Sequence, residues 1–220
     1  MSREGGLTMD LYDFFNSSAA YRVRIAMALK GIPWNHVGVN LRAGEQHQPG
    51  YKARNPNQLV PVLHDGGETI TQSLAIIDHL DRKWPVPRLI PADGPARTRV
   101  LEIALTIACD MHPLNNMRVR KYLGNPLGID EAAGSEWVAH WLDAGFSALE
   151  PWLPADGGWC VGDAPTLADC CLVPQVANAL RATFSLGPFP RVRQAYAHCM
   201  RHEAFRLAAP SAQPDYVAAH

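Results

Sequence analysis

Residues 9–31 read MDLYDFFNSSAAYRVRIAMALKG, and this stretch decides the fold of the first half of the chain. The apolar run at 9–15 predicts a short strand, and Ser17 and Ser18 are residue types that often cap the start of a helix. Residues 19–30 then predict that helix. Because only a narrow polar stripe interrupts its apolar residues, we expect it to lie largely buried against a sheet.

The next elements extend this unit into a complete small domain. Residues 33–41 predict a second strand, and two short runs at 60–63 and 69–71 around a glycine-rich turn predict a β-hairpin. Residues 74–84 predict a further helix, capped by Ser73. The order β-α-β followed by β-β-α is that of a thioredoxin-like α/β domain.

Helical patterns dominate the second half of the chain. Several prolines between residues 85 and 95 indicate a linker, after which the strand signals largely stop. The predicted helices cover residues 97–123 with a break at Pro113, 130–153, 166–183, 191–201 and 203–208. We therefore predict a thioredoxin-like domain at 9–87 and an all-α domain at 95–212.

Composition excludes several classes of function. The chain has 220 residues with a formal net charge of −1, so it carries no overall field that would attract nucleic acid or an anionic membrane. Its five cysteines are odd in number and lack the spacing of a zinc site, so we expect a reducing compartment and no metal. Residues 1–8 lack the apolar stretch of a signal peptide, which favours a cytoplasmic location.

Polar residues recur where predicted strands and helices meet. Ser17 follows the first strand, where a hydroxyl and the free N–H groups of a helix can hold an anion such as a thiolate; alternatively it only caps the helix. A cis Val60–Pro61 bond would turn the Val60 main chain towards the same strand ends, whereas a trans bond would make Pro61 an edge-strand residue. Gln72 and Ser73 open the next helix. Together these residues predict a binding edge of the sheet.

A second motif, at residues 162–169, is assigned to folding. Thr166 and Asp169 have the spacing of a capping box, in which each reaches the main chain of the other. Cys170 and Cys171 follow inside the predicted helix and are expected to be packing residues.

The stretch SSAAYRVRIA at 17–26 strongly resembles the N-terminal signature of zeta-class glutathione transferases, the maleylacetoacetate and maleylpyruvate isomerases. The resemblance covers nearly the whole chain. Its further matches are NP at 55–56, QLVP at 58–61, QS at 72–73, DMHP at 110–113, NN at 115–116 and LVPQVANA at 172–179.

This resemblance implies a glutathione transferase fold, a homodimer and glutathione as cofactor. It implies Ser17 and Ser18 as catalytic residues, with Ser17 near the glutathione sulfur. The implied glutathione-binding residues are Val60, Gln72, Ser73, Asp110, His112 and Asn116. Arg118 and Arg181 match arginines that bind the substrate carboxylates. Without the resemblance, His112 is interpreted as a helix-end or packing residue, whereas the two arginines could equally be solvated helix residues or carboxylate ligands.

The implied reaction is cis–trans isomerisation of maleylacetoacetate or maleylpyruvate, both small keto-dicarboxylates, during the breakdown of aromatic compounds. It proceeds by thiolate addition, rotation and elimination. Asn16 and Met117 stand where those isomerases carry arginine, and Ala19 replaces a cysteine that is usual in the class. A less cationic pocket leaves two alternatives open: conjugation or dehalogenation of small α-halo acids or other electrophiles, and a non-catalytic glutathione-binding dimer.

Overall fold

The computed structural model describes residues 9–218, so the expectation for residues 1–8 lies outside them. Contacts divide the chain into two units. The first runs to Arg88 and takes in the segment from His202 onwards, and the second spans Leu89–Arg201. The domain boundaries 9–87 and 95–212 stay a prediction. The division by contacts differs from them at the C-terminal end, where it assigns the segment from His202 onwards to the first unit.

The first unit is built on a four-stranded mixed sheet with the order β2-β1-β3-β4. β1 pairs in parallel with β2 and antiparallel with β3, and β3 pairs antiparallel with β4. The strands are β1 (Met9–Asp13), β2 (Trp34–Gly38), β3 (Val62–Asp65) and β4 (Glu68–Thr71). The helices are α1 (Ser18–Leu29), α2 (Pro49–Arg54) and α3 (Ser73–Lys83). This arrangement confirms the predicted thioredoxin-like class.

Burial of α1 follows from its sequence, as predicted. Val23 and Ile25 are fully buried because the apolar residues of α1 surround most of the helix. The polar stripe is buried as well. Arg24 is 0% exposed and donates two hydrogen bonds to Asp13, at 2.8 and 2.7 Å, so the buried guanidinium has a carboxylate partner.

The described elements of the second unit are helical, which confirms the predicted all-α class. They are α4 (Gly94–Leu105), α5 (Met117–Gly124), α6 (Glu131–Leu149), α7 (Leu167–Arg181) and α8 (Pro190–Arg201). A π-helical segment, Thr106–Met111, follows α4, and a short 3-10 helix, Glu150–Trp152, follows α6. The first unit contains another short 3-10 helix, Glu45–His47.

The break predicted at Pro113 is confirmed. α4 passes into the π-helical segment, which ends at Met111, and α5 begins only at Met117. No helix was predicted between residues 42 and 55, but this polar stretch contains α2, which begins with Pro49, a residue whose fixed φ suits the first helical position.

The capping box at the start of α7 is present. Asp169 accepts hydrogen bonds from the Thr166 N–H at 2.8 Å and from the Cys160 N–H at 2.8 Å. Burial raises the pKa of Asp169, although these hydrogen bonds act in the opposite direction. Burial also raises the pKa of the Cys160 thiol, and the negative charge of Asp169 raises it further. Cys170 and Cys171 are fully buried, as expected for packing residues.

The last described segment, from His202 onwards, belongs to the first unit and packs on α1. It contains α9 (Glu203–Leu207) and a short 3-10 helix, Pro210–Ala212. The Tyr21 hydroxyl donates to the Phe205 carbonyl at 3.0 Å, and Arg24 Nε donates to the Ala208 carbonyl at 2.9 Å. Between residues 9 and 218, no helix has both the length and the apolar character needed to cross a membrane.

Candidate functional site

The register of the sheet brings the predicted site segments of the first unit to one edge. Val62, at the start of β3, pairs with Tyr12 near the end of β1 and with Thr71 at the end of β4. The segments that follow β1, precede β3 and follow β4 therefore lie at the same edge. The predicted residues in these segments are Ser17, Val60, Gln72 and Ser73.

Ser17 occupies the N-cap of α1. Its Oγ accepts a hydrogen bond from the Ala20 N–H at 3.2 Å, so the capping role considered for this residue is real. A hydroxyl that accepts one hydrogen bond still has its own proton to donate, so capping and anion binding are compatible. Ser17 is half-buried, whereas Ser18 in the first turn is buried. Of the two, Ser17 is more accessible to a ligand.

The sequence left open whether the peptide bond between Val60 and Pro61, just before β3, is cis or trans. In the structure it is cis. Val60 itself is buried.

At the start of α3, the N-cap is Gln72 and not Ser73, contrary to the prediction. Gln72 is exposed and has a φ of 70°, a left-handed conformation that is uncommon for residues other than glycine and that clusters at functional sites. Ser73 is the first residue of α3 and is buried. Its Oγ accepts a hydrogen bond from Arg22 Nη1 at 3.3 Å.

Arg22 is the residue of this edge that sequence reasoning missed, because it was assigned to the polar stripe of α1. It is 2% exposed and links α1 to the start of α3 through Ser73. A buried guanidinium beside two helix N-termini makes this edge electropositive, which favours an anionic ligand. The available signal was an arginine one turn into a helix that has only one other charged residue, Arg24.

Hydrogen bonds in the second unit link three of the predicted residues: His112, Asn116 and Arg118. Asn116 caps α5, where its Oδ1 accepts from the Arg118 N–H at 3.0 Å, and its Nδ2 lies 3.4 Å from His112 Nε2. Asp110 lies two residues before His112, in the π-helical segment, and is exposed. π-helical turns occur often at functional sites.

Arg181 is not part of this group. It is the last residue of α7 and makes no hydrogen bond or ion pair within residues 9–218. Its side chain is exposed, yet enough protein surrounds the guanidinium for desolvation to lower its pKa. An arginine remains charged at neutral pH despite such a shift. Among the described residues, Arg181 therefore has no carboxylate partner.

The comparisons with known proteins agree with this architecture. Residues 7–82 match the N-terminal domain of glutathione S-transferases, and residues 141–203 match their C-terminal domain. A maleylpyruvate isomerase from Ralstonia sp is 46% identical over 210 residues, covering 94% of this chain and 99% of its own. A maleylacetoacetate isomerase from Pseudomonas aeruginosa is 44% identical over 214 residues, covering 96% and 100%.

Solved structures give the same result. The holo structure of a maleylpyruvate isomerase, described as a bacterial zeta-class glutathione S-transferase, has a TM-score of 0.91 at 45% identity and covers 94% of this chain and 100% of its own. A maleylacetoacetate isomerase from Anaeromyxobacter dehalogenans, with glutathione in its active site, has a TM-score of 0.85 at 37% identity and covers 97% and 100%. The chain therefore belongs to the glutathione S-transferase family.

Proposed function

We propose that this protein is a glutathione-dependent cis–trans isomerase of maleylacetoacetate or maleylpyruvate, working as a cytoplasmic homodimer in the breakdown of aromatic compounds. The observation that carries the proposal is the electropositive sheet edge, where Ser17 caps α1 and the buried Arg22 reaches Ser73 at the start of α3. The identity to isomerases over nearly the whole chain supports the choice of reaction.

The residues of this edge fit glutathione, a tripeptide with a thiol and two carboxylates. The Ser17 hydroxyl and the N-terminus of α1 suit the thiolate, because both favour the anionic form of sulfur. Ser73, Gln72 and the N-terminus of α3 suit the γ-glutamyl carboxylate, next to the guanidinium of Arg22. The Val60 main chain suits the peptide backbone of the ligand.

Rotation about a carbon–carbon double bond has a prohibitive barrier, so the reaction needs a nucleophile. Bound glutathione supplies a thiolate that adds reversibly to the conjugated double bond and so permits rotation about a single bond. In the proposal, Ser17 holds the sulfur by donating its hydroxyl proton in a hydrogen bond. The helix N-terminus lowers the free energy of the sulfur anion both before addition and after elimination.

We assign the remaining roles on the resemblance. Asp110, His112 and Asn116 contact glutathione, and Arg118 and Arg181 bind the substrate carboxylates. Arginine suits this task because its planar donors pair with both oxygens of a carboxylate.

The proposal is tested with maleylpyruvate and maleylacetoacetate prepared enzymatically, whose absorbance should fall on addition of protein and glutathione. Ser17→Ala should lower kcat about 10²-fold, as expected for loss of one donor to a reacting anion, and should raise the pKa of the bound thiol. Ser147→Ala, an exposed serine on α6, is the matched control and should behave like wild type. A wild-type protein that leaves both substrates unchanged would contradict the proposal.

A second candidate, conjugation or dehalogenation of small α-halo acids, is favoured by Asn16 and Met117, which stand where isomerases carry arginine. Activity on dichloroacetate together with inactivity on both keto-acids would select it. If instead Ser17→Ala changed neither activity nor glutathione binding, the protein would be the non-catalytic dimeric module.

A further inference from the structure

The chain that follows α9 returns to the turn that carries Ser17. Asp215 Oδ2 accepts a hydrogen bond from the Phe15 N–H at 2.9 Å. The ring of Tyr216 packs edge-on against the ring of Phe15, with 5.5 Å between centroids. Two consecutive residues of the C-terminal segment therefore contact the residue that lies two positions before Ser17.

The other main-chain group of Phe15 is held by a charged side chain as well. Its carbonyl accepts a hydrogen bond from Arg24 Nη2 at 3.0 Å, and Arg24 is itself fixed by Asp13. Hydrogen bonds to charged groups are about twice as strong as those between neutral groups. Both polar groups of the Phe15 main chain are thus tied to buried or half-buried ions.

The ring of His36 lies between Asp215 and Asp13. Its Nε2 lies 3.2 Å from Asp215 Oδ1, and its Nδ1 lies 3.7 Å from Asp13 Oδ2. His36 belongs to β2 and Asp13 ends β1, so the side chain of Asp215 lies beside the two strands nearest the turn.

The turn transmits this constraint to Ser17. The Ser17 N–H donates to the Phe14 carbonyl at 2.8 Å, which closes the turn over Phe14–Ser17. Because Phe15 lies inside this turn, fixing its N–H and carbonyl fixes the direction in which the chain enters α1. The position of the Ser17 hydroxyl follows from that direction.

We propose that Asp215 is a positioning residue for Ser17, acting through its hydrogen bond to the Phe15 N–H. This inference rests on the proposed function, in which Ser17 holds a thiolate. Asp215 makes no contact with the reacting atoms in this role. Its effect is on the placement of the hydroxyl, where a misplacement of about 1 Å can cost about 10²-fold in rate.

The test compares Asp215→Ala, Asp215→Ser and Asp215→Asn in the full chain. Alanine removes the acceptor, and serine is too short to reach the Phe15 N–H, so both should lower kcat at least about tenfold and raise the pKa of the bound glutathione thiol, with KM for the keto-acid little changed. Asparagine keeps an acceptor oxygen, so kcat should stay within about threefold of wild type. Asp156→Ala and Asp156→Asn, at an exposed turn, are the controls and should match wild type.

Thermal unfolding identifies variants that are merely destabilised, since a purely structural role would change the midpoint but not kcat or the thiol pKa of the folded protein. Wild-type kcat and thiol pKa in Asp215→Ala or Asp215→Ser would overturn the inference. So would failure of both variants to fold alongside a normal Asp215→Asn, because the side chain would then serve folding alone. Inactivity of the wild type on both keto-acids rejects the proposed function instead, and the thiol pKa of the same variants still decides the role of Asp215.

Discussion

Arg22 and Arg24 are two polar residues of the largely apolar α1, and both are buried with partners from other elements. Arg24 pairs with a carboxylate, whereas Arg22 donates to the hydroxyl of Ser73. Through these contacts α1 is tied to the end of β1 by Arg24 and to the start of α3 by Arg22.

Arg22→Met should weaken glutathione binding at least about tenfold, because a hydrogen bond that involves a charged group is worth about 1.5–3 kcal/mol. Isothermal titration calorimetry measures the dissociation constant. Arg82→Met is the control, since the Arg82 side chain is 76% exposed and forms a surface pair with Asp78. The dissociation constant of this variant should equal that of wild type. If Arg22→Met folds and binds glutathione like wild type, Arg22 serves packing alone.

Sequence patterns predicted Ser17, Gln72 and Ser73 as residues at one edge, because each stands where a strand gives way to a helix. They did not predict Arg22, since helical periodicity places it on a polar stripe. Its burial depends on α3, which is distant in the chain. The interchange of Gln72 and Ser73 at the N-cap was missed for a related reason: serine is the better cap by type, but here its hydroxyl accepts from Arg22.

At the scale of elements, the sheet and most helices were predictable because their apolar periodicity is long enough to read. α2 was not, since it is only six residues long and buries Tyr51 alone. It is held partly by tertiary contacts, such as the hydrogen bond of the Tyr51 hydroxyl to the Leu59 carbonyl at 2.7 Å. The π-helical segment was missed because its shifted hydrogen bond, from the His112 N–H to the Ile107 carbonyl, has no distinct sequence pattern.

Asp169→Ala should destabilise the protein by about 3 kcal/mol, because the main-chain N–H groups of Thr166 and Cys160 would lose their acceptor inside the protein. Urea unfolding followed by circular dichroism measures the loss. Asp163→Ala, an exposed position just before the same helix, should change stability by less than about 0.5 kcal/mol. Equal effects of the two substitutions would show that the capping box does not stabilise α7.

For the molecule as a whole, the order of elements along the chain does not coincide with the two units. The chain leaves the first unit after Arg88 and rejoins it at His202. Residues 203–208 have the same helical pattern as the helices before them, so local sequence assigns them to the helical half. The long-range contacts of Phe205 and Ala208 with α1 show instead that these residues belong to the first unit.

Phe205→Ala should therefore destabilise the first unit. Phe205 is fully buried, and removal of a buried phenylalanine ring costs about 4 kcal/mol. Hydrogen–deuterium exchange locates the effect: exchange should rise in peptides from α1 and less in peptides from α7. Leu207→Ala, on the same short helix but 57% exposed, should leave both exchange and stability near wild type. Faster exchange in α7 than in α1 would instead assign α9 to the helical unit, as the predicted boundary at residue 212 has it.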